Sequence, residues 1–148
     1  MTPTLLGRWQ TRFLLYAIIA IPVTLAFSYA LIGRLWPPSL PPFVFVTAIM
    51  VVGFVLDIAY VQIQRFRWDN DWPFAFQFFF SILEFLIAYG LMSLGWFDHL
   101  TSGVRIEFTT AALHFTLVFV PSFLALLGGI QIFLTDWRFK GGEIGGFE

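Results

Sequence analysis

Apolar residues form four long runs along the chain, each interrupted by only a few polar positions. The runs cover residues 13–32, 43–63, 74–97 and 108–134. A bilayer core about 30 Å thick is crossed by roughly 20 apolar residues of α-helix. Each run is long enough, so the pattern predicts an all-α integral membrane protein whose four transmembrane helices form one bundle.

The remaining segments are short. Three loops join the runs, and residues 135–148 form a tail with two Gly-Gly pairs. No segment approaches the roughly 50 residues of the smallest domains, so we expect residues 1–148 to form a single membrane domain. Residues 33–42 hold four of the eight prolines and are expected to form a loop without helix.

Basic residues are distributed unevenly between the two ends of the predicted bundle. One end carries Arg8, Arg12, Arg65, Arg67, Arg138 and Lys140, whereas the other carries only Arg34 and Arg105. Short cytoplasmic loops are enriched in Lys and Arg. We therefore expect both termini to be cytoplasmic in an inner, cytoplasmic-type cell membrane.

Tryptophans lie close to the predicted span ends, as in an interfacial aromatic belt. Cations and aromatics together predict a set of cytoplasmic rim anchors to anionic lipid headgroups. The set consists of Arg65, Arg67, Trp68, Trp137, Arg138 and Lys140.

The first run has some features of a secretory signal. Arg8 and Arg12 precede it, and residues 28–30 resemble a cleavage site of small residues. The apolar part of a signal peptide is only 7–15 residues long, however, and this run is nearer twenty. We expect it to remain as an uncleaved first span.

Composition narrows the classes of function. Hydrophobic residues make up 59% and charged residues 11%, with a net charge of −1 and a mean hydropathy of +0.84. A soluble domain carries roughly 25% charged residues. No basic surface predicts a nucleic-acid partner. The absence of cysteine excludes disulfides and thiolate chemistry.

Three ionisable side chains, Asp57, Glu84 and His114, lie within the predicted spans. Such groups normally face the interior of a bundle, because exposing one to lipid costs about 2.5–3.5 kcal/mol. Each lies on a small or polar stripe at helical spacing. The predicted intramembrane polar network consists of Asp57, Glu84, His114, Gln77, Ser81 and Tyr60.

Asp57, Glu84 and His114 are predicted to lie at different depths in the membrane. At helical rise, Asp57 is roughly 9 Å from the inner end, Glu84 roughly 15 Å, and His114 roughly 9 Å from the outer end. No Lys or Arg falls within a predicted span, so we expect the carboxyl groups to be neutral or to share one proton. Glu84 would then face Asp57 or His114, and Gln could replace it.

Two interpretations of this series remain. Acids and histidine at graded depth are typical of a proton relay. The same groups could instead form a structural hydrogen-bond network that fixes helix packing. We favour the structural network, because four short spans lack the repeats and broken helices of transporters apart from Pro22 and Pro121.

The sequence contains few of the residues that cofactor binding, metal binding or catalysis would need. His114 is a weak candidate for binding a haem or pigment at an interface, but one chain supplies no second axial histidine. The residues Glu107, His114, Asp98 and His99 fit no known zinc spacing. No hydrolase or nucleotide-binding motif occurs in the sequence. We therefore predict no catalytic residue, cofactor or metal, and a protein that is not an enzyme.

The sequence thus predicts a small multi-pass membrane protein. We expect a non-enzymatic accessory or assembly subunit of a larger membrane complex, in contact with lipid and with a membrane-protein partner or other copies of itself. The alternative is a small proton- or ion-coupled transporter that acts as an oligomer.

Overall fold

The computed structural model describes residues 4–33, 38–66, 73–133 and 143. Its helices are α1 (Leu5–Ile32), α2 (Leu40–Phe66), α3 (Phe74–Ser93), the short α4 (Asp98–Thr101) and α5 (Phe108–Phe133). The four long helices are long and apolar enough to cross a membrane, and the described ranges contain no strand. The all-α class and the four long apolar helices are confirmed.

Successive long helices run antiparallel. Arg8 near the start of α1 bonds Gln64 near the end of α2, and Phe78 at the start of α3 contacts Phe123 in the second half of α5. We call this end of the bundle, where α1 and α3 begin and α2 and α5 end, the arginine end. The other is the opposite end.

Helix α1 begins earlier than the apolar run predicted. Its N-cap is Thr4, whose hydroxyl oxygen accepts a hydrogen bond from the backbone N–H of Gly7 at 3.0 Å. A side-chain cap of this kind satisfies one of the free N–H groups in the first turn. Arg8 and Arg12 therefore lie inside the helix rather than ahead of it.

The proline-rich loop is shorter than predicted. Helix α2 begins at Leu40, so Pro41 and Pro42 belong to its first turn. Proline is tolerated there because the first backbone N–H groups of a helix have no acceptor within it. The expectation that residues 33–42 contain no helix is wrong for the last three of them.

Helix α3 ends at Ser93, four residues before the predicted end at position 97. Gly95 adopts a left-handed backbone with φ of +84°, a conformation that ends helices and favours glycine. Beyond it, Arg105 donates to Asp98 at 2.7 Å and to the Ser93 carbonyl at 2.8 Å. The hydrogen bond and charge of Asp98 raise the pKa of Arg105.

An apolar core fills the opposite half of the bundle. Large rings from α2 and α3 interlock there with small residues that let the helices approach closely. The buried members are Phe45, Ala48, Phe85, Ala88, Met92 and Ala111. The rings of Phe45 and Phe85 meet edge to face, with centroids 5.9 Å apart. The buried charged groups, Arg8, Asp57 and Glu84, lie in the arginine half.

Two long helices contain π-helical segments. In α1, residues Tyr16–Ala20 precede Pro22, which cannot donate to the carbonyl four residues earlier and crowds it. In α5, the segment Ala125–Gly129 ends in two glycines, which weaken regular helix. The Gln131 side chain donates to the Leu126 carbonyl there at 3.1 Å. Such segments widen the helix locally.

Candidate functional site

Arg12 joins three helices at the arginine end. Its Nε and Nη2 atoms donate to the two carboxylate oxygens of Asp57, both at 3.1 Å. Its Nη1 and Nη2 atoms donate to the two carboxylate oxygens of Glu84, at 2.7 and 2.9 Å. One guanidinium on α1 therefore binds a carboxylate on α2 and another on α3 in two-pronged geometry.

Arg8 lies one turn before Arg12 and belongs to the same cluster. Its Nη2 donates to the Gln64 side chain at 3.0 Å, and its Nη1 lies 3.9 Å from Asp57 Oδ1. Both arginines and both carboxylates are largely buried. We call Arg8, Arg12, Asp57 and Glu84 the charge cluster, and its formal charges sum to zero.

This cluster overturns the expectation that the spans contain no cation. Arg12 precedes the apolar run, but α1 extends back to Leu5. A long arginine side chain can bury its stem and carry its charge well away from its own backbone. The prediction that Asp57 and Glu84 are neutral assumed that no cation lies near them. That assumption is wrong.

The predicted ladder of depths is also wrong. Helix α2 continues to Phe66, so Asp57 lies nine residues from its end, and Glu84 lies ten residues into α3. The two carboxylates therefore reach the same level and share Arg12 instead of standing in series. Sequence reasoning missed Arg8 and Arg12, although their spacing of four places them on one helix face.

Gly53 makes room for the guanidinium. It lies on α2 one turn before Asp57, and a Cβ atom at this position would overlap the Nη1 and Cζ atoms of Arg12. Four hydrogen bonds hold that guanidinium in place, so it has little freedom to move aside. Glycine is needed here for the close approach of α1 rather than for an unusual backbone angle.

His114 belongs to a different environment, nearer the opposite end. Its Nε2 atom shares a hydrogen bond with the Thr24 hydroxyl at 2.9 Å, and its ring stacks on Phe27 with centroids 4.7 Å apart. The side chain is only 1% exposed. Its Nδ1 atom has no hydrogen-bond partner among the described residues. Among the described residues, its hydrogen bond and ring contacts are with Thr24, Phe27 and Phe45, not with Asp57 or Glu84.

A cavity of about 190 Å³ lies between the four long helices and extends from the arginine end toward His114. Arg12, Asp57, Glu84 and His114 all line it. Gln77 and Ser81 of the predicted network line it as well, and the Ser81 hydroxyl donates to the Phe78 carbonyl at 2.7 Å.

Tyr60 is buried on α2, and its ring packs against Phe80 with centroids 4.4 Å apart. Among the rim anchors, Arg65 is exposed near the end of α2. The predictions for Arg67, Trp68, Trp137, Arg138 and Lys140 lie outside the described residues.

Within the described ranges, no three His, Asp or Glu side chains lie close enough together to hold a metal ion. The Nε2 atom of His114, the usual haem-binding position, is engaged by Thr24. The chain matches no protein-family model, no curated protein and no solved structure.

Gly53→Ala is expected to destabilise the bundle, because the new methyl group displaces Arg12 from its four acceptors. The matched controls Gly90→Ala and Gly128→Ala add a methyl group to open space within long helices. These should be neutral or stabilising by up to about 1 kcal/mol. Thermal unfolding in detergent compares the three variants, and an equally harmless Gly53→Ala would show that Arg12 is not held against α2.

Arg12→Gln is expected to lower the free energy of unfolding by about 3–5 kcal/mol, because it leaves Glu84 buried without its cation. Glu84→Gln alone is also costly, since it leaves an excess positive charge. The double variant restores neutrality and should lose less than the sum of the two single losses. Reversible unfolding in mixed detergent micelles measures this coupling, and strict additivity would contradict the charge cluster.

Proposed function

We propose that the chain spans a cell membrane four times and serves as a non-enzymatic accessory or assembly subunit of a larger membrane complex. Both termini face the cytoplasm in this proposal, which places the arginine end on the cytoplasmic side. The support for orientation is the excess of Lys and Arg in the segments that the sequence predicts at this end of the bundle.

The observation that carries the proposal is the poor burial of α5. Only 6% of its most apolar window is buried within the bundle, against 22–33% for the other three long helices. Its buried residues are Ala111, His114 and Ile130. A helix that contributes so little to its own bundle has most of its surface available to a neighbour.

The exposed face of α5 has the spacing of a helix-packing seam. Five of its exposed apolar residues are separated by four, three, four and three positions: Leu113, Leu117, Val120, Leu124 and Leu127. A repeat of this kind lets side chains of a second helix interlock with the first over several turns. In lipid, such close packing between helices is a source of association. We call these five residues the α5 seam.

The described polar groups support a structural role. Ser81, Ser93 and Ser122 each donate their hydroxyl hydrogen to a carbonyl of their own helix. None of these three serine hydroxyls bonds a histidine that would activate it as a nucleophile, and Thr24, which does bond His114, lies buried in the bundle. The charge cluster is internally neutral and joins three helices of the chain, as expected for residues that stabilise helix packing.

A small proton- or ion-coupled transporter acting as an oligomer is the second candidate. The observation that favours it is the cavity, whose lining includes both carboxylates and His114. Against it, Asp57 and Glu84 share one cation at a single level, and His114 bonds Thr24 instead. This arrangement supports fixed packing better than transfer along a path.

Orientation can be tested by single-cysteine labelling, because the chain contains no cysteine of its own. His99→Cys, exposed on α4, should react with a membrane-impermeant maleimide in intact cells. Arg65→Cys, exposed near the end of α2, should react only after the membrane is opened. The reverse pattern would place both termini outside.

Gentle extraction followed by native mass measurement tests the assembly. The chain should travel with at least one other membrane protein, and the paired change Leu117→Ala and Leu124→Ala in the α5 seam should release it. The control pair Val55→Ala and Ile58→Ala changes exposed residues of α2 and should leave the complex intact. A chain that runs alone, or only with copies of itself, and that collapses a pH gradient in vesicles would favour the transporter.

A further inference from the structure

The cavity between the four long helices is half open, and its volume is large enough for one ring-shaped molecule. Its volume is about 190 Å³. For comparison, an engineered apolar cavity of about 150 Å³ in another protein binds benzene. Both π-helical segments border the cavity, since Tyr16, Ala20 and Leu126 are among its lining residues. Segments of this kind occur frequently at functional sites.

One wall of the cavity is aromatic. Phe115, Phe119 and Phe123 line it from successive turns of α5. Neighbouring rings in this series have centroids 5.4 Å apart and interplanar angles of 13° and 25°. The three rings stack on one another, and a further aromatic ring can associate with them through offset or edge contacts.

The other wall is polar, and its charges are already balanced. Arg12, Asp57 and Glu84 line it, and with Arg8 they sum to zero. A charged ligand would leave an unpaired charge in a site with a mainly apolar lining, which is costly. The electrostatics therefore favour a neutral ligand.

Some polar groups that line the cavity can still form hydrogen bonds with a ligand. A guanidinium has five N–H groups, and the four bonds of Arg12 leave one N–H on Nη1 without an acceptor among the described residues. The Gln77 amide makes no hydrogen bond within the described part of the chain, so its N–H₂ group is a second donor. His114 adds a buried Nδ1 atom without a described partner. Donors beside an aromatic wall suit a ring that carries oxygen acceptors.

We propose that this cavity binds a neutral, planar ring bearing carbonyl oxygens, the chemistry of a quinone head group. The ring lies against Phe115, Phe119 and Phe123, and a carbonyl oxygen accepts from Arg12 Nη1 and from Gln77 Nε2. The proposal concerns binding alone and is independent of the subunit role of α5.

The test uses the purified full chain in detergent with three probes of similar size. Menadione has the ring and two carbonyl groups, naphthalene has the rings without oxygen, and 2-naphthoate carries a negative charge. Menadione cannot form a thiol adduct, because the chain has no cysteine. Saturable binding, measured by calorimetry, is expected for menadione, with naphthalene at least several-fold weaker and 2-naphthoate weaker still.

Two variants locate the site. Gln77→Leu removes a donor and keeps the apolar surface, so it should reduce the preference for menadione over naphthalene by about 3–10-fold. Phe119→Trp enlarges a cavity-lining ring and should weaken both probes, whereas Phe79→Trp enlarges an exposed ring on α3 and should change neither. Melting temperatures without ligand show that each variant is folded.

The probe comparison on the unchanged chain stands even if a variant fails to fold. Three results would each overturn the proposal. They are a lack of saturable menadione binding, equal affinity for menadione and naphthalene, and tighter binding of 2-naphthoate than of menadione. The first result would leave the cavity without this ligand class, the second would make it a non-selective apolar void, and the third would make it an anion site.

Discussion

The fold depends on the need to keep charge out of hydrocarbon. Asp57 and Glu84 are nearly fully buried, and Arg12 binds both through four hydrogen bonds. Each group alone would be costly at this depth, and together they cancel one another. Because the three groups come from α1, α2 and α3, satisfying them also fixes how these helices approach. Gly53 is part of the same constraint, since it gives the guanidinium the space beside α2.

The two halves of the bundle consequently hold together by different means. The arginine half is joined by paired charges around a cavity, whereas the opposite half is packed by rings and small residues around Phe45 and Phe85. Helix α5 contributes to both but is covered by neither, and its outward face stays apolar. The cavity and the α5 seam are therefore on separate sides of the same helix, one formed by Phe115, Phe119 and Phe123 and the other by the leucine-rich seam.

Much of this arrangement could be predicted from apolar run length and helical spacing. Those two properties predicted the four helices and the inward-facing stripes of small and polar residues on which Asp57, Glu84 and His114 lie. The partners of these groups could not be predicted, because hydropathy marks where apolar residues begin rather than where a helix begins. Thr4 caps α1 ahead of the apolar run, which brings Arg12 into the bundle. Similarly, Leu40 and Phe66 extend α2 at both ends, which changes the level of Asp57.

The π-helical segment of α1 has a consequence for which face of the helix turns inward. Arg12 and Thr24 are twelve positions apart, so on a regular helix they would point about 120° away from each other. One turn with an extra residue reduces that angle to about 20°. Arg12 can then reach the carboxylates while Thr24 reaches His114. A single additional residue in the helical backbone thus lets one face of α1 contact two chemically different partners.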